Sequence, residues 1–269
     1  MPGRMYKTLA LEVVDHVGWL TIDHPPLNLF DRALMSDMMA AARHLSEDEQ
    51  VRVVVVQSAD PDFFIAHADV TLIEAVAAAD PASDPDSSFF HAMTEQFRQM
   101  PKPTLGKIRG IARGGGLEFL AALDMRFCAR ETTRLGQPEV TLGIIPGGGG
   151  TSRWPRLIGY ARAMELMLGG RDFDADEAER YGLVNRALPE AELDDWVDQL
   201  ARRMAGFAPH AIRLIKQVGQ GQGSLEDSLA AEHRAFLTSA RHADALAQMR
   251  RFMERGGQTR PFEAGHPFD

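Results

Sequence analysis

The 269-residue chain is 45% hydrophobic and 25% charged, which is typical of a globular protein long enough to bury a sizeable core. Its formal net charge of -9 argues against a nucleic-acid-binding protein, because such proteins usually present a basic surface. A single cysteine excludes an intrachain disulfide, and no signal pattern or apolar run of ~18 residues predicts secretion or a membrane span, so we expect a cytoplasmic protein.

Alternating strand and helix patterns occupy about the first 190 residues. Apolar runs and alternation predict strands at 8–15, 19–22, 51–57, 104–111, 125–129 and 184–187. Four consecutive valines at 53–56 are typical of a strand that is buried on both faces. Asp31 is placed to cap one helix, and Asp174 with Glu177 forms a capping box before another. These repeated strand–helix units predict an α/β fold.

Only helical patterns follow Pro189, at 190–205, 209–218, 225–239 and 243–255. We therefore divide the chain into a core of residues 1–190 and a C-terminal helical region of residues 191–269. Within the core, the acidic, proline-containing segment 79–88 predicts a mobile surface loop between two helices.

Two glycine clusters, at 114–116 and 147–150, invite comparison with phosphate-binding loops. Neither cluster fits, because the P-loop Gly-Lys-Ser/Thr is missing and both clusters fail the dinucleotide fingerprint at its third glycine. H-E-x-x-H and C-x-x-C motifs are also missing, so no metal site is predicted. What remains is a strand, three glycines and a helix start, where main-chain N–H groups could stabilise an oxyanion or where the glycines only form a turn.

Two glutamates accompany these glycines: Glu118 follows the first cluster, and Glu139 lies in the segment 136–140. A carboxylate pair suits acid–base chemistry at a C=C bond, where one group takes a proton from water and the other delivers a proton to carbon. Burial among apolar neighbours would raise the pKa of Glu118 toward neutrality. Each residue also has a simpler interpretation: Glu118 as a carboxylate favoured by a helix dipole, and Glu139 as a solvated loop acid.

The order and separation of these motifs resemble the enoyl-CoA hydratase/isomerase family, also called the crotonase family. The matching segments are FFIAHADV at 63–70, GGGLEFLAALD at 114–124, LGQPEVTLGIIPGGGGTSR at 135–153 and NRALP at 185–189. The resemblance extends over about residues 8 to 255. It implies a crotonase-like α/β fold of stacked ββα repeats, with a C-terminal helical region that makes the contacts of a homotrimer or of a dimer of trimers (a hexamer).

The resemblance also implies an acyl-CoA substrate and a set of site residues. The main-chain N–H groups of Ala68 and Gly115 would hold the thioester carbonyl as it becomes enolate-like. Glu118 would activate water as the base, and Glu139 would protonate the α-carbon, without a metal or redox cofactor. The residues implied to contact the substrate and its CoA part are Ala66, His67, Asp69, Val70, Gly114 and Gly147.

His67 departs from the family pattern, which usually has glycine before the oxyanion-hole alanine. If that glycine needs a positive φ, histidine fits at some cost, and its side chain could also reach the acyl pocket and alter specificity. Gly147 stands where some relatives with other chemistries carry an acid, which argues against those chemistries. For Asp69 we expect a structural role in holding its loop.

The leading hypothesis is an enoyl-CoA hydratase that adds water syn to a trans-2-enoyl-CoA and forms a 3-hydroxyacyl-CoA. Three alternatives stay open: an enoyl-CoA double-bond isomerase that uses Glu139 as a proton shuttle, a crotonase-fold hydrolase assisted by His67, and a non-catalytic crotonase-fold protein that binds RNA or a partner. The presence of both glutamates favours the hydratase, and the acidic net charge argues against an RNA-binding role, so no nucleic-acid or membrane partner is expected.

Overall fold

The computed structural model of the chain describes residues 5–78, 80, 88–221 and 223–265. Most of the segment 79–88, for which the sequence predicts a surface loop, lies outside the described residues. The chain divides into two compact units, a larger unit of Met1–Ala205 and a smaller unit of Gly206–Asp269. No helix in the described part of the chain combines the length and the apolar character needed to cross a membrane.

The larger of two sheets in the larger unit has six strands. They are β1 (Leu9–Val14), β2 (Val17–Ile22), β3 (Val53–Ser58), β5 (Thr104–Ile108), β7 (Met125–Ala129) and β10 (Arg186–Leu188). The strands lie in the order β1-β2-β3-β5-β7-β10. The β1 and β2 strands form an antiparallel hairpin, and each later neighbour is parallel.

A second sheet of four short strands lies in the same unit. It contains β4 (Phe63–Ile65), β6 (Ile111–Arg113), β8 (Arg134–Gly136) and β9 (Asp172–Asp174), in the order β4-β6-β8-β9. Three successive strand pairs, β3–β4, β5–β6 and β7–β8, send their first strand to the larger sheet and their second strand to this one. Each pair leads into helical structure, so the predicted α/β fold of ββα repeats is confirmed.

Among the described residues, the larger unit also contains eight α-helices. They are α1 (Arg32–Glu47), α2 (Val70–Ala77), α3 (Phe89–Gln99), α4 (Gly115–Leu120), α5 (Gly150–Ile158), α6 (Tyr160–Gly169), α7 (Ala175–Tyr181) and α8 (Glu190–Ala205). Two predicted helix starts are confirmed: the Asp31 side chain accepts the Leu34 N–H, and Asp174 forms a capping box with Glu177.

The β3 strand is buried on both faces, as its valines predict. Val54 and Val56 face the main apolar core, whereas Val53 and Val55 pack in a second apolar cluster with residues of α8. Leu193 of α8 is fully buried in that cluster. This packing places α8 in the larger unit, so the two units divide at 205/206, whereas the sequence placed the boundary at 190/191.

The segment 104–111, for which the sequence predicts one strand, divides between both sheets. The break is at Gly110, which has a φ of +67°, a conformation that glycine adopts far more readily than other residues. A Cβ at Gly110 would lie 2.1 Å from the Asp62 carbonyl oxygen, and the Ile111 N–H donates to the same oxygen. The chain therefore leaves β5 and enters β6 through a turn that only glycine can make here.

The smaller unit contains three of the four helices predicted after Pro189, a further short helix that was not predicted and, among its described residues, no strand. The helices are α9 (Pro209–Gly219), α10 (Leu225–Ala240), α11 (Ala243–Glu254) and α12 (Arg260–Ala264). No residue of these four helices, all of which are described, is buried. Large apolar side chains such as Ile215, Leu225 and Phe236 are exposed. The trimer contacts that the resemblance implies for this region stay a prediction.

Candidate active site

The first glycine cluster joins β6 to α4 in a close-packed turn. Gly114 has a φ of +49° and a ψ of -124°, a combination that requires glycine. A Cβ at Gly114 would lie 2.9 Å from Glu139 Oε1, and one at Gly116 would lie 2.4 Å from the Ile65 carbonyl oxygen. The glycines therefore let α4 start directly against β4 and beside the second glutamate.

Ala68 and Gly115 lie side by side at the start of α4. The Ala68 nitrogen is 3.6 Å from the position that a Gly115 Cβ would occupy. The residues on either side of Ala68 form a β-bridge with Phe30, which donates to the His67 carbonyl and accepts from the Asp69 N–H. Within the described residues, neither the Ala68 N–H nor the Gly115 N–H donates to another main-chain group. The two N–H groups are thus available to an external acceptor.

Glu118 is buried in α4, with 3% of its surface exposed. One carboxylate oxygen, Oε1, accepts hydrogen bonds from the N–H groups of Gly148 and Gly150, both at 2.8 Å. Burial raises the pKa of this carboxyl to about 7, and the nearby Glu139 carboxylate adds to the increase, while the two N–H groups and Arg153 oppose it. Glu118 can therefore exchange a proton near neutral pH.

Glu139 begins the 3₁₀ turn Glu139–Leu142, and its side chain is half-buried. The Gln137 side-chain amide donates to both carboxylate oxygens, at 3.0 and 3.1 Å. The indole N–H of Trp154 in turn donates to Gln137 Oε1 at 3.1 Å, and both of these residues are fully buried. Burial raises the pKa of Glu139, and the Gln137 hydrogen bonds oppose this increase.

His67 has an ordinary negative φ, since among described non-glycine residues only Asp15, His16, Asn28 and Gln258 have positive values. The substitution therefore introduces no backbone strain. Its Nδ1 lies 2.8 Å from the Ala68 carbonyl oxygen, so Nδ1 donates to that oxygen and Nε2 stays free of the proton when the ring is neutral. The His67 Cβ and Glu139 Oε1 both lie within 4 Å of the position that a Gly114 Cβ would occupy. His67 thus borders the site.

The other implied binding positions surround the same segment. Ala66 is buried beside β4, and Val70, the first residue of α2, is 40% exposed. The Asp69 carboxylate caps α2 by accepting the Thr71 N–H and hydroxyl, which is the structural contact expected for it. Around Gly147 the space is open: a Cβ there would meet only the Ile145 carbonyl oxygen, at 3.8 Å.

Three neighbours of the glutamates were not singled out from the sequence. Gln137 and Trp154 form the hydrogen-bonded chain to Glu139, and Phe90 of α3 lies near Glu118. The Phe90 ring edge and Glu118 Oε2 both lie within 2.6 Å of the position that a Gly148 Cβ would occupy. The only sequence signal for the first two was their place in the matching segment 135–153.

A separate cluster in the smaller unit contains His210, His242 and Asp244. The two imidazole rings stack at 3.7 Å with an interplanar angle of 16°. A metal ion lies near the plane of each imidazole that binds it, and the planes of these rings run nearly parallel. The cluster in this arrangement therefore does not form a chelating site.

The amino-acid sequence is similar to a known protein family and to individual proteins. Residues 12–262 match the model of the family described as enoyl-CoA hydratase/isomerase. A probable enoyl-CoA hydratase of Mycobacterium bovis is 32% identical over 253 residues, which are 93% of this chain and 96% of that protein. The fatty acid oxidation complex subunit alpha of Vibrio cholerae is 36% identical over 225 residues, but the match spans only 32% of that longer protein.

Solved structures give the same result. The enoyl-CoA hydratase of Bacillus anthracis is similar with a TM-score of 0.85 and 31% identity, over 93% of this chain and 97% of that one. Pseudomonas aeruginosa DspI is similar with a TM-score of 0.85 and 30% identity, over 93% of this chain and 95% of that one. Both likenesses extend over nearly the whole chain.

Proposed function

Since the chain belongs to the enoyl-CoA hydratase/isomerase family, we propose that it is an enoyl-CoA hydratase, which adds water to a trans-2-enoyl-CoA and forms a 3-hydroxyacyl-CoA. The observation that carries this proposal is the pair Glu118 and Glu139, close enough that one carboxylate raises the pKa of the other. An addition of water needs two proton-transferring groups at one double bond, and this pair supplies them.

The N–H groups of Ala68 and Gly115 are proposed to bind the thioester carbonyl oxygen. Negative charge develops on this oxygen when hydroxide adds to the β-carbon, and two main-chain donors fixed in place stabilise it without reorganising. They lie beside each other and have no main-chain acceptor among the described residues. The proposed chemistry needs no metal ion or redox cofactor, because water and the enoyl thioester supply every atom of the product.

Glu118 is proposed to act as the base. With a pKa of about 7, it is about half ionised at neutral pH, and Oε1 is held by two N–H groups while Oε2 faces the Phe90 ring edge. Oε2 would take a proton from water as the hydroxyl oxygen bonds to the β-carbon. The electron pair of the C=C bond moves toward the carbonyl and then takes a proton at the α-carbon.

Glu139 is proposed to donate that second proton. Its pKa is raised by burial, so a larger fraction of the side chain carries a proton than in water. After the addition Glu118 is protonated and Glu139 is ionised, and exchange with solvent restores the starting state. The acyl-CoA would lie along the segment 66–70 and over Gly114 and Gly147, where the glycines leave room for a ligand.

The test measures the loss of enoyl-thioester absorbance when the enzyme is added to crotonyl-CoA and to longer 2-enoyl-CoAs. We expect Glu118→Gln and Glu139→Gln each to lower kcat by at least ~10². The exposed Glu12→Gln on β1 is the matched control and should retain full activity. Near-normal hydration by Glu118→Gln would contradict the proposal. If Glu118→Gln instead retained isomerisation of a 3-enoyl-CoA, the isomerase alternative would replace it.

A further inference from the structure

We propose that Arg153 is the positioning residue for Glu118, because it fixes the glycine loop 147–150 whose N–H groups hold one oxygen of that carboxylate. The inference rests on the proposed function, in which Glu118 is the base. Arg153 lies in α5, immediately after this loop, and does not hydrogen-bond to Glu118 itself. It therefore acts on the base through the main chain and through its charge.

The Arg153 guanidinium joins the loop to α3. One nitrogen, Nη1, donates to the Gly148 carbonyl at 3.0 Å. The other, Nη2, donates to Glu95 Oε1 at 2.8 Å and to Thr94 Oγ1 at 3.2 Å. The Arg153 side chain is only 13% exposed, so water competes little for these contacts. A planar group with fixed donors thus anchors a loop that consists only of glycines.

The loop wraps closely around this guanidinium and around Glu118. Gly149 has a φ of +114°, and a Cβ there would lie 2.1 Å from Arg153 Nη1. A Cβ at Gly148 would lie 2.6 Å from Glu118 Oε2, and one at Gly150 would lie 3.0 Å from Oε1. The glycines therefore bring two N–H groups within 2.8 Å of Oε1, but they supply no rigidity of their own. Arg153 supplies it by holding the carbonyl of Gly148, the residue whose N–H donates to Glu118 Oε1.

The charge of Arg153 also acts on the titration of Glu118. The charged groups that face this carboxylate are Arg153 of α5, which lowers its pKa, and Glu139 of the 3₁₀ turn, which raises it. From α3 the apolar Phe90 ring lies near it, and Glu95 is engaged by Arg153 and Arg98. Removing the Arg153 charge leaves burial and Glu139 unopposed by a cation, so the pKa of Glu118 rises. The base is then ionised only at higher pH.

The experiment compares Arg153→Met, which removes charge and hydrogen bonds, with Arg153→Lys, which keeps the charge but not the fork of donors. The readout is the pH profile of kcat/KM for crotonyl-CoA, together with the melting temperature. For Arg153→Met we expect kcat/KM for crotonyl-CoA to fall by about 10² at pH 7. Its acid limb should also move to higher pH by on the order of one unit. Arg153→Lys should keep the acid limb near its wild-type position and recover part of the rate.

Arg98→Met is the matched control, because Arg98 pairs with Glu95 within α3, whereas Arg153 joins Glu95 to the glycine loop. We expect this variant to keep the wild-type rate and pH profile. An unshifted acid limb in a folded Arg153→Met enzyme would overturn the proposal, as would an equal effect of Arg98→Met.

¹³C NMR titration of the Glu118 carboxyl in the wild type and in Arg153→Met, assigned with Glu118→Gln, gives the same comparison without turnover. A wild-type enzyme with no hydratase activity would refute the proposed function, and a Glu118 titration that is the same in wild type and Arg153→Met would refute only this inference.

Discussion

Glu139 owes its position to a short chain of buried hydrogen bonds that starts at the indole of Trp154. Trp154 orients the Gln137 amide, and the amide donates to both oxygens of Glu139. Gln137→Leu keeps the approximate size of the side chain but removes these donors, so the pKa of Glu139 should rise further and its oxygens should lose their orientation. We expect kcat for crotonyl-CoA hydration to fall by at least about tenfold with a smaller change in KM.

Trp154→Phe separates the two steps of this chain, because it removes the indole N–H, together with the rest of the pyrrole ring, and leaves the Gln137 contact with Glu139 in place. Steady-state kinetics should show a smaller loss for this variant than for Gln137→Leu. Losses of equal size would mean that packing of the indole, not the amide, positions Glu139. Each variant should also lose about 1–3 kcal/mol of stability, since each leaves a buried polar group without its partner.

Phe90 lies near Glu118 and Gly115, where the acyl chain would react in the proposed mechanism. Its ring lies near Gly115 on one side and near Glu118 Oε2 on the other, and it meets Phe30 edge to face at 5.2 Å. Phe90→Ala should enlarge this space, so kcat/KM for longer 2-enoyl-CoAs should rise relative to crotonyl-CoA by about tenfold or more. Phe89→Ala is the control, because Phe89 is 52% exposed. An unchanged chain-length preference would mean that Phe90 does not limit the acyl space.

The position of a candidate residue could be predicted where it belongs to a sequence motif. Contacts that depend on three-dimensional geometry could not be predicted. The sequence pointed to Glu118 and to a raised pKa, because apolar neighbours surround it. It gave no sign that Gly148 and Gly150 would donate to Glu118, since that contact joins positions about 30 residues apart. The possible strain at His67 was also undecidable beforehand, because φ at that position depends on the bridge to Phe30.

At the scale of elements, α4 depends on its close approach to β4. A Gly116 Cβ would lie 2.4 Å from the Ile65 carbonyl oxygen, which belongs to the backbone and cannot move aside easily. Gly116→Ala should therefore displace the start of α4, lower the free energy of unfolding by about 1–3 kcal/mol and abolish most hydration activity. Thermal unfolding followed by circular dichroism, together with the crotonyl-CoA assay, measures both effects.

Gly169→Ala is the matched control for this substitution. Gly169 ends α6, and a Cβ there would meet no atom within 4 Å. Alanine at this position should leave activity unchanged and stabilise the protein slightly, by about 0.4–1 kcal/mol, because it restricts the unfolded chain. If both alanine variants behaved alike, the loss at Gly116 could not be attributed to the contact with Ile65.

Long helices were predicted from the sequence more accurately than short strands. The four helices 190–205, 209–218, 225–239 and 243–255 were located to within about one residue, because several turns of apolar periodicity define each of them. The β8 and β9 strands were missed, since three residues are too few to show alternation. The split of 104–111 was missed as well, because the reason for it, the contact of Gly110 with Asp62, is non-local.

For the whole molecule, the change in pattern after Pro189 predicts a division at 190/191, whereas the compact units of the structure divide at 205/206. The helix α8 has the same amphipathic pattern as the helices after it, and only its packing against the larger sheet assigns it to the larger unit. Periodicity shows that one face of a helix is apolar, but it does not show which surface covers that face. The sequence likewise does not show which surface covers the apolar faces of the helices in the smaller unit.

The apolar face of α10 leads to a prediction about assembly. Leu225, Leu229 and Phe236 recur at helical spacing on one face of α10 and are 75%, 53% and 64% exposed. Large exposed apolar side chains that share one face of a helix are typical of a surface covered by a partner. Together with the trimer implied by the resemblance, this predicts a sedimentation mass of three or six times 29.7 kDa.

Phe236→Asp should shift the mass toward the monomer, because it would bury an unpaired charge in the contact. Ala230→Asp, on another exposed face of the same helix, should leave the mass unchanged, whereas a monomeric wild type would contradict the prediction.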